Sequence, residues 1–199
     1  MASELIVQTL KGPTSGVNAN KVIIPSGQTL DASAGTVSGV NQITEYDTWL
    51  MTSSQAVSGA QTVISAAMSR SDATGFEKIG TGMSQSSGVF TFPSTGYWEV
   101  IFHGEVYRSG SDRTPYGRIQ VTTDNSSYSN GATWQAFVNQ NGLSSNIHNN
   151  GHAEQFVKVT DTANVKVRFV FGTGGDSVTL QGSSGTPITY FTFKKVADV

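Results

Sequence analysis

Beyond residue 45 the chain alternates apolar and polar positions with a period of two. In 97–107, Trp98, Val100, Phe102 and Val106 fall on one side, and Tyr97, Glu99, Ile101, His103, Glu105 and Tyr107 fall on the other. A strand sends successive side chains to opposite faces, so this is the pattern of a β-strand with one buried face. The same period recurs in 165–171, where Val165, Val167, Phe169 and Phe171 alternate with Lys166, Arg168 and Val170. In 116–123, Ile119 and Val121 stand opposite Arg118 and Gln120, and in 188–195 Phe191 and Phe193 stand opposite Tyr190 and Thr192. Shorter apolar segments lie at 46–52 (Trp49, Leu50), 82–92 (Phe90, Phe92), 133–138 (Trp134, Phe137) and 154–160. Turn formers separate them, notably Pro93-Ser94-Thr95-Gly96 and Asp161-Thr162-Ala163-Asn164. Short strands at near-regular spacing between such turns predict an antiparallel β-sandwich. Phe90, Trp98, Phe102, Phe169, Phe171, Phe191 and Phe193 are the expected core.

One segment conflicts with this reading. Ala56, Val57, Ala60, Val63, Ile64, Ala67 and Met68 follow helical spacing, although Ser58 and Gly59 weaken a helix. A strand over 62–69 and a short helix both remain open. The first 44 residues differ from the rest. Leu5-Ile6-Val7 and Val22-Ile23-Ile24 are short apolar runs separated by Gly, Ser and Pro. Neither can bury an apolar face alone, so 1–44 is expected to be an attachment or stalk segment with a linker, and 45–199 a head domain.

Composition narrows the class. Only 13% of the 199 residues are charged, against a usual figure of about 25%. Gly contributes 22 residues, and Ser, Thr and Asn add about 60 more, above ordinary usage. A net charge of -2 argues against nucleic-acid binding, and nothing approaches the roughly 18 apolar residues of a membrane span. The N-terminus lacks the basic and apolar regions of a signal peptide. With no Cys there are no disulfides and no thiolate chemistry, which fits a prokaryotic or viral source.

Catalytic chemistry is not expected. There is no nucleophile elbow, phosphate-binding loop or zinc-protease motif, and no helical pattern follows Gly172-Thr173-Gly174-Gly175. His148 and His152 are the nearest thing to a metal pair, but Asn149-Asn150-Gly151 between them disfavours a helix, and two imidazoles alone are weak evidence. Asp124 and Asp176 stand as single acids in their loops, whereas calcium takes several carboxylates. His103 and Glu105 share a face with Tyr97 and Tyr107, which reads as a partly buried polar face before it reads as an acid–base pair. No cofactor and no metal are expected.

The run 80–98 carries the most specific motif. Gly88, Phe90, Pro93, Gly96 and Trp98 match a "G-x-F-x-x-P-x-x-G-x-Y" pattern, with Trp in place of the usual final Tyr. This resembles the hallmark of the complement C-one-q and tumour-necrosis-factor-like jelly roll. Its wording, Gly82-Met83-Ser84 through Pro93-Ser94-Thr95-Gly96, resembles the version in small virion proteins of bacteriophages. The stretches 156–169 and 189–195 resemble the later strands of such heads, and 22–31 resembles N-terminal segments of phage fibre proteins.

The resemblance implies an all-β antiparallel jelly roll that forms a homotrimer. One sheet would order segments 62–69, 46–52, 188–195, 97–108 and 154–160, the other 82–92, 165–171, 116–123 and 133–138. Antiparallel pairing then puts chain entry and exit at one end and three long loops, 109–115, 139–152 and 172–187, at the other. Those loops would carry receptor contacts at Arg113, Tyr116, Asn139, Gln140, Asn141, Asn146, His148 and Asp176. The face with Tyr97, Ile101, His103, Tyr107 and Tyr190 would pack around the threefold axis. Leu5, Ile6, Val7, Val22, Ile23 and Ile24 would dock on another virion protein. The function implied is a virion protein, assembled in the host cytoplasm: a tail fibre or knob contacting a host surface glycan or protein. The alternatives are a decoration protein of capsid or tail, and a secreted binding module of the same fold.

Overall fold

The computed structural model describes residues 14–16, 26–29, 43–71, 77–108, 114–138, 147–175 and 177–199. The chain divides into two units, residues 1–40 and 41–199. Of the first unit only residues 14–16 and 26–29 are described, and the apolar runs at Leu5-Ile6-Val7 and Val22-Ile23-Ile24 lie outside the described residues.

The second unit is all-β. Its strands are β1 (Tyr46–Met51), β2 (Gln55–Ser58), β3 (Thr62–Val63), β4 (Met68–Arg70), β5 (Ser84–Ser86), β6 (Val89–Thr91), β7 (Gly96–Arg108), β8 (Tyr116–Thr122), β9 (Ser129–Gln135), β10 (Ile147–Val159), β11 (Lys166–Gly172), β12 (Ser177–Leu180) and β13 (Tyr190–Ala197). There is no helix among the described residues, and 56–68 carries strand only at 56–58, 62–63 and 68. The larger sheet runs β4-β1-β13-β7-β10, with β12 on β7 beyond the end of β13 and β2 on β12. The smaller sheet runs β5-β6-β11-β8-β9, with β3 also on β11. All pairings are antiparallel, and both expected strand orders are present.

The core lies between the sheets. Phe90, Trp98, Phe102, Phe169, Phe171, Phe191 and Phe193 are all fully buried. Phe169 stacks on Phe191 at 4.2 Å between ring centroids and meets Phe90 and Phe102 edge-on. Each such ring contributes on the order of 1.5–3 kcal/mol by leaving water. Trp134 occupies a socket in which a Cβ on Gly104, Gly117 or Gly151 would come within 2.5, 2.4 or 2.1 Å of its indole.

Several boundaries differ from expectation, each for a local reason. Segment 82–92 is a β5–β6 hairpin rather than one strand, because Ser87 (φ 51°) and Gly88 (φ 83°) form a two-residue loop with both φ positive. Segment 62–69 divides between the sheets, β3 on β11 and β4 on β1. Gln55 holds the crossover, its Oε1 accepting from the amides of Ser65 and Ala66 while its Nε2 donates to the Val63 carbonyl. β9 starts at Ser129, not at 133. Asp124 Oδ1 accepts from the amides of Ser126 and Ser127 and closes the turn early, so polar residues enter the ladder. β10 starts at Ile147 because it pairs with β7 along its whole length, which removes 147–152 from the expected loop. The expected loop 172–187 contains β12, a four-residue strand held by Val178 and Leu180 in the core.

Candidate functional site

The outward face of the larger sheet is a lattice fixed by register. Leu50, Tyr190, His103 and His152 form one row across β1, β13, β7 and β10. Thr48, Thr192, Ile101 and Glu154 form the next, and Tyr46, Lys194, Glu99 and Phe156 the one after it. Tyr97 pairs with Lys158 toward one end, and Tyr107 with His148 toward the other. The five residues expected on this face, Tyr97, Ile101, His103, Tyr107 and Tyr190, are therefore brought together.

Their contacts are aromatic as much as polar. His103 stacks on Tyr190 at 4.8 Å and 21°, and Tyr107 on His148 at 5.4 Å and 23°. His148 Nδ1 lies 2.8 Å from Glu105 Oε1. Lys158 Nζ stands 5.6 Å above the Tyr97 ring, and Lys194 pairs with Glu99. The His103 and His152 rings are 6.5 Å apart. Burial holds the His103 pKa below that of an ordinary histidine, His152 adds to the depression, and Glu105 opposes it. Between β1 and β13 the face opens into a cleft of about 350 Å³ lined by Tyr46, Thr48, Ser71, Pro187, Tyr190 and Thr192. On the far side of β7, Phe156 is 60% exposed on β10. Phe156 was not singled out as a face residue, yet its place in the period-two series with His152, Glu154 and Lys158 marks it as one.

The outward face of the smaller sheet is built differently. Arg168 Nε donates to Gln120 Oε1 at 2.7 Å, and Gln120 Nε2 donates to Asn130 Oδ1 at 2.7 Å. The Arg168 guanidinium lies 3.8 Å over Tyr128, and Arg118 lies 4.4 Å over Tyr116. Burial raises the Tyr128 pKa, against the pull of Arg168.

Register also fixes the ends. Tyr46 lies opposite Lys194, so the chain enters and leaves the head on adjacent strands. The 92–95 and 160–165 turns lie at that end with the 123–128 turn, as the link from the Asn125 amide to the Asn164 carbonyl shows. The other end holds the starts of β8 and β10. Of the expected tip contacts, Tyr116 and His148 are there, but on strands rather than loops: Tyr116 under Arg118, His148 against Tyr107. Arg113, Asn139, Gln140, Asn141, Asn146 and Asp176 lie outside the described residues.

Two further features bear on chemistry. No group of three or more His, Asp or Glu among the described residues could hold a metal ion. Asp47, which sequence reasoning passed over, is 1% exposed and accepts from Arg70 at 2.8 and 3.0 Å, from Trp49 Nε1 at 2.9 Å and from the Met83 amide at 2.7 Å. That saturated carboxylate ties β1 to β4 and to the start of β5. A charged residue at a core-facing strand position was the signal for it.

The head is similar to the Eiger TNF of S. frugiperda, with a TM-score of 0.57 at 13% identity over 79% of this chain and 96% of that one. It is similar to murine APRIL at pH 5.0, with a TM-score of 0.52 at 8% identity over 76% of this chain and 98% of that one. PRD1 vertex protein P5 also aligns, at a TM-score of 0.48 and 10% identity over 78% and 99%, a likeness too loose to add to the fold assignment. No family model matches the chain, and no curated protein matches it. The class is thereby defined: an antiparallel jelly roll of the tumour-necrosis-factor-like type. At such identities the likeness defines the fold and nothing beyond it.

Proposed function

We propose that this chain is a non-enzymatic structural protein of a bacteriophage particle. It assembles as a homotrimer and serves as a tail fibre or knob whose distal end meets the host surface. The observation that carries this reading is the outward face of the larger sheet, where stacked aromatic rings, an open cleft and an exposed Phe156 occupy positions that a solvated sheet fills with polar groups. The cleft on β1 and β13 and Phe156 on β10 lie on opposite sides of β7 in one sheet. Two unlike patches that meet head to tail close into a ring when the rotation between copies allows it. Such a contact would bury Tyr190, His103 and Ile101 between copies.

The virion assignment is supported by the resemblance of 80–98 to phage virion proteins and by the charge-poor, Cys-free composition. The segment 1–44 is assigned to docking on another virion protein, and the end away from chain entry to outside contacts. Sedimentation equilibrium of the full chain tests assembly, with a trimer expected at micromolar concentration and a monomer refuting it. A cryo-electron map of the particle tests the role. A few trimers at the tail fit a fibre, and hundreds at capsid positions would make the protein a decoration. Removing residues 1–35 is expected to leave a trimeric head that no longer joins particles.

A further inference from the structure

All three histidines of the chain, at 103, 148 and 152, lie on the outward face of the larger sheet. They come from two strands and from widely separated parts of the sequence. The lattice gives them unequal surroundings. His148 has a carboxylate partner in Glu105, so protonation strengthens the contact it already makes. His103 has no such partner. Across from it stand Tyr190 on β13 and His152 on β10, with Asn150 and Glu154 diagonal to it on β10 and Ile101 and Glu105 beside it on β7. Glu105 is already engaged by His148. The remaining charges of the face, the Lys194–Glu99 pair and Lys158, lie further along the strands.

We propose that the His103–His152 pair makes the self-assembly of this protein acid-labile, so that copies held together near neutral pH separate under mild acid while each head stays folded. This rests on the reading of this face as the contact between copies. Copies packed over the pair would withdraw it further from water, and only neutral imidazoles tolerate that withdrawal. Acid would place two cations opposite each other in every copy, at the centre of the contact. The already depressed His103 pKa points the same way, because a group that resists protonation in the single head resists it more when covered. The sign follows from linkage. A histidine whose pKa falls on assembly leaves assembly unimpaired above its value in the separate head, which for His103 lies below 6.5, and weakens it as pH drops through that value. Each histidine kept neutral contributes about tenfold per pH unit, so His103 alone, counted in three copies, gives roughly a thousandfold per unit in the trimer dissociation constant.

The test is sedimentation velocity of the full chain at about pH 7.5 and about pH 5, with circular dichroism on the same samples. The expected result is a trimer at the higher pH and a folded monomer at the lower. In the double variant His103→Gln, His152→Gln the ratio of dissociation constants between the two pH values should fall below about tenfold, whereas His148→Gln should keep the wild-type ratio. A trimer that persists at the lower pH overturns the inference and leaves the assembly reading standing. A monomer at both pH values overturns both. Loss of the circular dichroism signal together with dissociation overturns it as well, because acid would then act on the fold. So would a double variant with an unchanged ratio.

Discussion

The two outward faces of this sandwich follow the same strand periodicity and end in opposite states. On the smaller sheet, outward positions hold Arg168, Gln120 and Asn130, which satisfy one another in a hydrogen-bonded line capped by Tyr128. On the larger sheet, outward positions hold Tyr190, His103, Tyr107 and Phe156, whose rings stack in pairs or stand exposed. The first face is complete within one chain. The second leaves an exposed aromatic ring and an open cleft. Alternation decides which residues face outward. The chemistry at those positions decides whether a face needs anything else.

The comparison can be sharpened from the core outward. Phe169 lies beneath both faces, so Phe169→Ala should lower stability by about 3–5 kcal/mol and impair both, as read by thermal or urea unfolding. Little change would mean the two sheets do not share the ring cluster seen here. Tyr190→Glu acts on one face only. It sets a charge beside His103 and the cleft, and should abolish self-association at micromolar concentration while the far-ultraviolet spectrum stays that of the wild type. Arg168→Ala is the matched change on the other face. It removes a charged hydrogen bond and a cation–π contact, should lower stability by about 1–2 kcal/mol, and should leave the oligomeric state alone. If Arg168→Ala dissolved the assembly, the contact would have been assigned to the wrong sheet.

The smallest effect concerns Asp124, at the turn that ends the smaller sheet. Amides of Ser127 and Ser126 and the Thr122 hydroxyl hold its carboxyl well below the usual carboxylate range. Its stabilising contribution is therefore present above the unfolded value near 3.8 and is lost as pH falls through the lower folded value. Asp124→Ala should melt slightly below the wild type at neutral pH, and the gap should close in strong acid. A gap that stayed constant would assign the effect to turn geometry rather than charge.

Most of the architecture was legible because long strands advertise themselves. β7, β8, β11 and β13 carry enough alternating positions to fix both location and facing, and the Phe90–Trp98 motif ordered them into sheets. The misses share a cause. β12 has four residues and β3 two, too short for a period to register. The hairpin at Ser87–Gly88 hid inside a motif read as continuous strand. The first half of β10 is Asn- and His-rich, and only its pairing with β7 reveals it as strand. For the site, the aromatic face followed from parity alone. Phe156 escaped because it is an apolar residue in an outward series otherwise made of His152, Glu154 and Lys158. The line from Arg168 to Asn130 depends on register between strands, which no single strand encodes.

The socket around Trp134 bears on how such a chain can change over generations. Its three glycines sit on β7, β8 and β10, far apart in sequence, and each is kept free of a side chain by the indole, Gly117 by the Phe102 ring as well. Any side chain at Gly104, Gly117 or Gly151 collides while the indole stays, and shrinking Trp134 leaves a hole bounded by three residues that cannot fill it. The four positions are thus bound to one another as a lineage drifts. A smaller residue at the fourth must come before Gly104 or Gly151 can be relieved, and Gly117 needs Phe102 to give way as well, so a population leaving this arrangement crosses a less stable intermediate first.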